Sequence, residues 1–179
     1  VAPDYVLVPA KRESDFVAAV KEAMVEMYPG EASANKDYQR IVATHHAQRI
    51  SKLVDDAIAR GARCVMGGEV DAKDCYVSPT VLTDIDLNAE ILEEEIFGPV
   101  LPIIPYTSIS EAIRFVNDRP TPLALYVFSK RKRFVESVLS QIQSGGASIN
   151  NCIIHVSSNH LPFGGLGNSG IGSGHGEYG

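Results

Sequence analysis

The 179-residue sequence has few cysteines, no long apolar run and no excess of positive charge. Its three cysteines, Cys64, Cys75 and Cys152, form an odd set without motif spacing, which favours reduced thiols and a cytoplasmic setting over a disulfide scaffold. No apolar run approaches the roughly 20 residues that span a bilayer, and we expect no secretory leader. A net charge of −6 argues against a nucleic-acid partner or an anionic membrane surface.

Several motifs that carry chemistry are also missing. The sequence has no G-x-S-x-G for a serine nucleophile, and its histidines lack companions at zinc-binding spacing. His45 and His46 are adjacent, so on a helix they would point about 100° apart and would hold a metal poorly. Gly165–Gly170 matches G-x-G-x-x-G, but no amphipathic helix follows it. We therefore predict no metal site, and we interpret this segment as a tight loop rather than as a dinucleotide fingerprint.

Strand-like and helix-like segments alternate through most of the chain. Apolar residues at helical spacing predict helices over residues 14–28 and 44–60 and after residues 108 and 129. Apolar, β-rich runs predict strands over residues 5–8, 63–66, 76–83, 100–106, 123–128 and from 147. Strands joined by helices of this length pair in parallel and are covered by the helices. We therefore predict an α/β fold with a mostly parallel twisted sheet and helices on both faces.

Local signals refine this prediction. Thr44 can cap the second helix, and Ser108 with Glu111 forms a capping box for the third. Cys64 and Cys152 lie in apolar, strand-like contexts, so we expect them to be inert packing residues. Cys75 lies in a polar turn and could be exposed, but no nearby base supports a role as a nucleophile.

The segment EEEIFGPV, Glu93–Val100, combines three carboxylates with an aromatic ring. An ionised carboxylate only accepts hydrogen bonds, so its two oxygens can bind the two hydroxyls of a vicinal diol such as ribose. An aromatic ring two residues later can pack on a flat heterocycle. Glu95 and Phe97 could therefore bind a nucleotide together. The alternative is an acidic helix end followed by a phenylalanine of the core, and this segment alone leaves both interpretations open.

Three segments together resemble one family. EEEIFGPVLPI, GGASINN and LPFGGLGNSGIG are similar, in order and spacing, to the C-terminal half of the NAD(P)-dependent aldehyde dehydrogenases. The resemblance covers essentially all 179 residues. VAPDY at the start, and Gly167–Gly170 where most of the family has a lysine, resemble the class-three branch, which acts on medium-chain, fatty and aromatic aldehydes. The resemblance implies that residues 1–179 are a piece of the catalytic domain and that a dinucleotide-binding domain precedes them.

The resemblance also implies roles for single residues. It assigns Glu95 to the nicotinamide ribose and Phe97 to the nicotinamide ring, and it leaves Asn150 a bracing role. The nucleophilic cysteine of the family would fall just before Val1. We therefore expect no catalytic residue within this chain and assign no catalytic role to its three cysteines. The residues that match the wall of the aldehyde pocket are Ile153, Val156, Ser157, Phe163 and His175.

The implied activity is oxidation of an aldehyde to a carboxylic acid with NAD or NADP, through a cysteine thiohemiacetal and a thioester. The resemblance further implies a small-molecule aldehyde substrate and a homodimer in the full-length enzyme, with no nucleic-acid partner, no membrane segment in this chain and no activity of the chain alone. The alternative is a non-catalytic relative that acts as a binding or structural protein.

Overall fold

The computed structural model describes residues 2–179 and shows an α/β fold. Within this range the chain forms eight strands and four α-helices. The strands are β1 (Val6–Pro9), β2 (Arg63–Met66), β3 (Val70–Asp71), β4 (Tyr76–Val77), β5 (Thr80–Thr83), β6 (Val100–Tyr106), β7 (Ala124–Val127) and β8 (Gly146–Ile149). The helices are α1 (Glu13–Met27), α2 (Thr44–Ala59), α3 (Ile109–Asn117) and α4 (Lys132–Leu139). They divide into two compact units, Pro3–Thr107 and Ser108–Gly179.

The first unit contains a four-stranded sheet with the order β1-β6-β5-β2. β6 pairs in parallel with both β1 and β5, and only the edge strand β2 runs antiparallel to its neighbour. The core beneath this sheet is formed by the apolar stripe of α2 and by buried side chains of the following segments. Its fully buried large members include Ile50, Leu53, Leu82, Ile91 and Ile96. Burying one such side chain contributes about 1.5–3 kcal/mol, so the segment around Ile96 is anchored from below.

The second unit is built on a β7–α4–β8 crossover. β7 and β8 pair in parallel, with Ala124 opposite Gly146 and Val127 opposite Ile149. Ser108 caps α3, since its side chain accepts a hydrogen bond of 3.2 Å from the Glu111 N–H. The predicted capping interaction at Ser108 is therefore confirmed.

Most predicted elements are found within one or two residues of their expected bounds, but two local predictions are wrong. Thr44 is the first residue of α2, and the cap position falls on Ala43, which offers no side-chain oxygen. Cys64 is exposed rather than packed, because β2 is the edge strand of its sheet and turns this residue outward. Among residues 2–179, no helix is both long and apolar enough to cross a membrane.

Candidate functional site

The segment from Glu94 to Gly98 forms a turn that we call the EIFG turn, after residues 95–98. Ile96 is 1% exposed and packs into the core of the first unit. Glu95 and Phe97, on either side of it, are exposed, and Phe97 shows 73% of its surface. Ile96 thus lies buried between two exposed side chains, and the turn presents the carboxylate and the ring at the surface.

Two polar side chains clamp the backbone of the EIFG turn. The Ile96 N–H donates a hydrogen bond of 3.0 Å to Asp4 Oδ1. The Arg49 guanidinium donates to two successive carbonyls, that of Glu95 at 3.1 Å and that of Ile96 at 2.6 Å. A planar guanidinium presents its donors in a rigid fork. These contacts hold the turn from α2 on one side and from the segment before β1 on the other.

The backbone at Phe97 adopts a conformation that side-chain-bearing residues rarely use. Its φ is +48°, in the left-handed region, where a bulky residue is strained. Gly98 follows because a Cβ there would lie 2.5 Å from Ile50 Cδ1. Such strain persists only where the surroundings enforce it, and it is concentrated at ligand-binding sites. An exposed ring held in this way is typical of a binding residue.

The environment of the EIFG turn raises the pKa of two carboxyl groups, Glu95 and Asp4. Burial raises the pKa of Glu95, and the negative charge of Asp4 raises it further. The pKa of Asp4 is also raised by its burial, while its hydrogen bond from Ile96 and the charge of Arg49 act in the opposite direction. The Glu95 side chain is exposed, and its carboxylate oxygens can accept hydrogen bonds from hydroxyl groups.

In the second unit, the predicted pocket residues lie on one irregular segment after β8. Ile153 has a φ of +66° and is exposed, and the short 3₁₀ helix Ile154–Ser157 follows it. Val156 is half-buried, whereas Ser157 is exposed and its hydroxyl donates to the Ile154 carbonyl at 3.0 Å. Asn150, with a φ of +55°, exchanges two hydrogen bonds with the Ser129 backbone. This contact ties the segment to the end of β7.

Phe163 and His175 are brought together by a β-bridge between Phe163 and Gly174. The Phe163 N–H donates to the Gly174 carbonyl at 2.7 Å, and the Gly174 N–H returns a bond of 3.1 Å. His175 follows directly and is exposed, with a φ of +108°. The glycine-rich segment between them is a tight loop, as predicted, since its only regular element is the 3₁₀ turn Gly167–Ser169.

The three cysteines differ in environment. Burial raises the pKa of the half-buried Cys152, which makes its thiol a poorer source of thiolate. Cys75 has a φ of +51°, and its Sγ lies 3.7 Å from Thr44 Oγ1. The exposed Cys64 lies 3.3 Å from the Met66 carbonyl. Neither of these two contacts is with a general base.

Sequence reasoning missed Asp4, Arg49 and His155. Asp4 and Arg49 act on backbone groups more than 40 positions away, for which the local pattern carries no signal. His155 is the one buried histidine among residues 2–179, although it directly follows two isoleucines in the sequence. The local sequence gave no correct signal for His155, because hydropathy predicts buried isoleucines and an exposed histidine.

A carboxylate and an aromatic ring presented on one strained turn of an α/β fold are typical of a ligand-binding site in an enzyme. Comparison with known proteins gives a more specific answer. The model of the aldehyde dehydrogenase family matches residues 1–179, and the chain belongs to that family. The predicted family resemblance and the predicted α/β fold are thereby confirmed.

Three relatives illustrate the match. Aldehyde dehydrogenase family 3 member A2 of Mus musculus is 42% identical over 178 residues, covering 99% of this chain and 36% of that protein. The aldehyde dehydrogenase of Canis lupus familiaris named dimeric and NADP-preferring is 42% identical over 177 residues, covering 99% and 38%. The solved structure of Staphylococcus aureus AldH in a substrate-bound state matches with a TM-score of 0.94 and 39% identity, covering 99% and 38%. This chain therefore spans little more than a third of these relatives.

Proposed function

We propose that this chain is part of an enzyme that oxidises an aldehyde to a carboxylic acid with NAD or NADP. Membership of the family supports this activity, and one relative is named as NADP-preferring. The observation that carries the proposal is the EIFG turn, where Glu95 and Phe97 face outward around the buried Ile96 on a clamped backbone.

The residues of the EIFG turn fit a nicotinamide nucleotide. Glu95 would accept hydrogen bonds from the two ribose hydroxyls, each charge-assisted bond contributing about 1.5–3 kcal/mol. Phe97 would pack on the nicotinamide ring, adding about 0.5–1.5 kcal/mol. When bound, the cofactor supplies the hydride acceptor. The role of the chain is then to hold that ring at a fixed place, because positioning of reacting groups accounts for much of the rate enhancement.

The substrate would be an apolar aldehyde. Ile153 and Val156 are apolar and partly exposed, and Phe163 is half-buried beside the bridge that leads to His175. Ser157 and His175 would contribute the polar groups of a pocket whose lining is otherwise apolar, as is usual for small-molecule sites. This set favours medium-chain, fatty and aromatic aldehydes over small charged ones.

The nucleophile would come from outside this chain. We propose that residues 1–179 belong to the catalytic domain, that a cysteine immediately before Val1 attacks the aldehyde, and that a dinucleotide-binding domain precedes it. The thiohemiacetal would lose hydride, and water would release the acid from the thioester. We further propose a cytoplasmic homodimer; the relative from Canis lupus familiaris is named as dimeric.

The test is an assay of the whole protein for NADH or NADPH formation with a series of aldehydes. We expect turnover of apolar aldehydes, and we expect Glu95→Gln to slow hydride transfer more than it weakens aldehyde binding. Glu93→Gln is a matched control, because Glu93 is also exposed and lies outside the EIFG turn. A protein that forms no reduced cofactor with any aldehyde, and has no cysteine before Val1, would instead be a non-catalytic relative.

A further inference from the structure

His155 occupies an unexpected place in the second unit. It is 7% exposed, whereas the adjacent Ile153 and Ile154 are 46% and 56% exposed. Hydrophobicity alone would bury the isoleucines and expose the imidazole. A local conflict of this kind, between a sequence pattern and the fold that holds it, is expected at functional sites. The segment therefore turns its two large apolar side chains outward and uses the histidine as its anchor.

The contacts of His155 are close on several sides. The Ser148 hydroxyl, on β8, is hydrogen-bonded to Nδ1 at 3.2 Å. The ring centroid lies 5.8 Å from that of Tyr126, on β7, and 5.9 Å from that of Phe163. These are distances at which aromatic pairs attract each other. A Cβ on Gly146 would lie 2.8 Å from His155 Cδ2, so the imidazole rests directly on the backbone of β8.

These contacts join residues that the proposed function places in one pocket. Ile153, Val156 and Ser157 lie within two residues of His155, and Phe163 packs against its ring. Ile153 is β-branched and held at a φ of +66°, a strained conformation that needs support from its surroundings. The buried imidazole two residues later is the nearest side chain of this segment with contacts to β7 and β8.

We propose that His155 is a positioning residue of the aldehyde pocket, which holds the Ile153–Ser157 segment and the Phe163 ring in register with β7 and β8. This inference rests on the proposed function. It assigns to His155 no contact with the aldehyde. His155 instead fixes the shape of the wall of the aldehyde pocket, and hence the affinity for apolar aldehydes.

The charge of the imidazole adds a pH dependence. Burial lowers the pKa of His155 from its usual 6.5, so the neutral ring persists into mildly acidic solution. The titratable groups around it are Tyr126 on β7 and Cys152 before the turn, and burial raises the pKa of both. They stay neutral as the pH falls, so protonation of His155 is the one charge change in this cluster. Within residues 2–179, Nε2 has no hydrogen-bond partner, so the charged ring would hold one buried N–H without an acceptor.

The experiment measures KM for an apolar aldehyde and for the cofactor in the whole protein. We expect His155→Ala to raise KM for the aldehyde by about tenfold while KM for the cofactor changes by less than about twofold. His160→Gln is the control, because His160 lies in the same segment but is exposed and paired with Glu177 at 2.9 Å. We expect no change in either constant for that variant.

Two milder variants keep the test decisive if His155→Ala does not fold. Ser148→Ala removes only the hydrogen bond, and His155→Phe keeps the ring contacts without a titratable nitrogen. Both should raise the aldehyde KM by smaller factors. In the wild type this KM should increase as the pH falls through the lowered pKa of His155, and His155→Phe should abolish that increase.

Folded variants with an unchanged aldehyde KM, or with equal shifts in both constants, would overturn the inference, since a merely structural role predicts no selective effect. If the wild type itself oxidises no aldehyde, the proposed function fails and this inference fails with it. Wild-type turnover with unresponsive variants would overturn the role of His155 alone.

Discussion

The side chain of Asp4 accepts a hydrogen bond of 3.0 Å from the backbone N–H of Ile96, a residue 92 positions further along the chain. The bond connects the segment before β1 with the EIFG turn. In the proposed enzyme the nucleophile would immediately precede the first of these segments, and the second would carry the cofactor contacts. A single carboxylate would thus set the relative position of the two reacting partners.

Replacing Asp4 with Ala tests this connection. The loss of this half-buried acceptor should destabilise the protein by about 1–3 kcal/mol, and in the whole enzyme it should weaken cofactor binding more than aldehyde binding. Thermal unfolding and the two KM values measure these effects. Asp15→Ala is the control, because Asp15 pairs with Arg12 on the surface, where an ion pair contributes about 0–1 kcal/mol. Equal losses in both variants would contradict a special role for Asp4.

Glu95→Gln should separate stability from activity. Because the pKa of Glu95 is raised in the folded state, the folded protein retains a proton that the unfolded chain releases as the pH rises past 4.5. The charged carboxylate therefore costs stability at neutral pH, and that cost disappears in acid, where both states are protonated. At pH 7 the variant should have a slightly higher melting temperature, and its free energy of unfolding should rise by less than about 1 kcal/mol. Near pH 4 its stability should equal that of the wild type. A lower melting temperature at pH 7 would contradict this assignment.

Gly165→Ala should disrupt the tight loop that leads from Phe163 to His175. Gly165 is buried, and a Cβ there would overlap the backbone carbonyl of Ser169. Because backbone atoms cannot yield as a flexible side chain can, we expect a loss of more than about 2 kcal/mol in the free energy of unfolding.

Gly167→Asn is the matched control in that loop. Gly167 has a φ of +60° and open space around its Cα, and asparagine tolerates this conformation better than other residues do. Its cost should stay below about 1 kcal/mol. Denaturant unfolding of both variants decides whether steric overlap at position 165 or the positive φ at position 167 determines the need for glycine in this loop.

Ser108→Ala should remove the cap of α3. The Glu111 N–H would lose its acceptor, so we expect a loss of about 1 kcal/mol in the free energy of unfolding. Ser110→Ala, one residue inside the same helix, should be neutral or slightly stabilising, because alanine has the higher helix propensity. Equal destabilisation by both changes would show that Ser108 does not act as a cap.

The sequence predicts well what depends on neighbouring residues. The stripe of α2, the helix cap at Ser108 and the strand β6 all follow from spacing within a few residues, and the structure contains each of them. The EIFG turn could be singled out for the same reason. The outward direction of Phe97 was not fixed by the pattern, because it depends on the burial of Ile96 in a core assembled from distant segments.

Long-range contacts lay beyond the sequence pattern. The bond between Asp4 and Ile96 joins segments that only the fold brings together. The pattern around His155 pointed in the opposite direction, because it favoured burial of the isoleucines. The prediction that Cys64 is a packing residue was wrong for a related reason. Its strand was identified correctly, but the position of that strand at the sheet edge depends on the order of strands, which spacing along the chain does not encode.

The fit between Gly146 and His155 has a consequence for the history of this sequence. A Cβ at position 146 would lie 2.8 Å from the imidazole, so position 146 cannot accept a side chain while His155 is present. A side chain acquired at position 146 requires a smaller residue at 155 first. Change at these two positions is therefore expected to come as a coordinated exchange, in that order, or not at all.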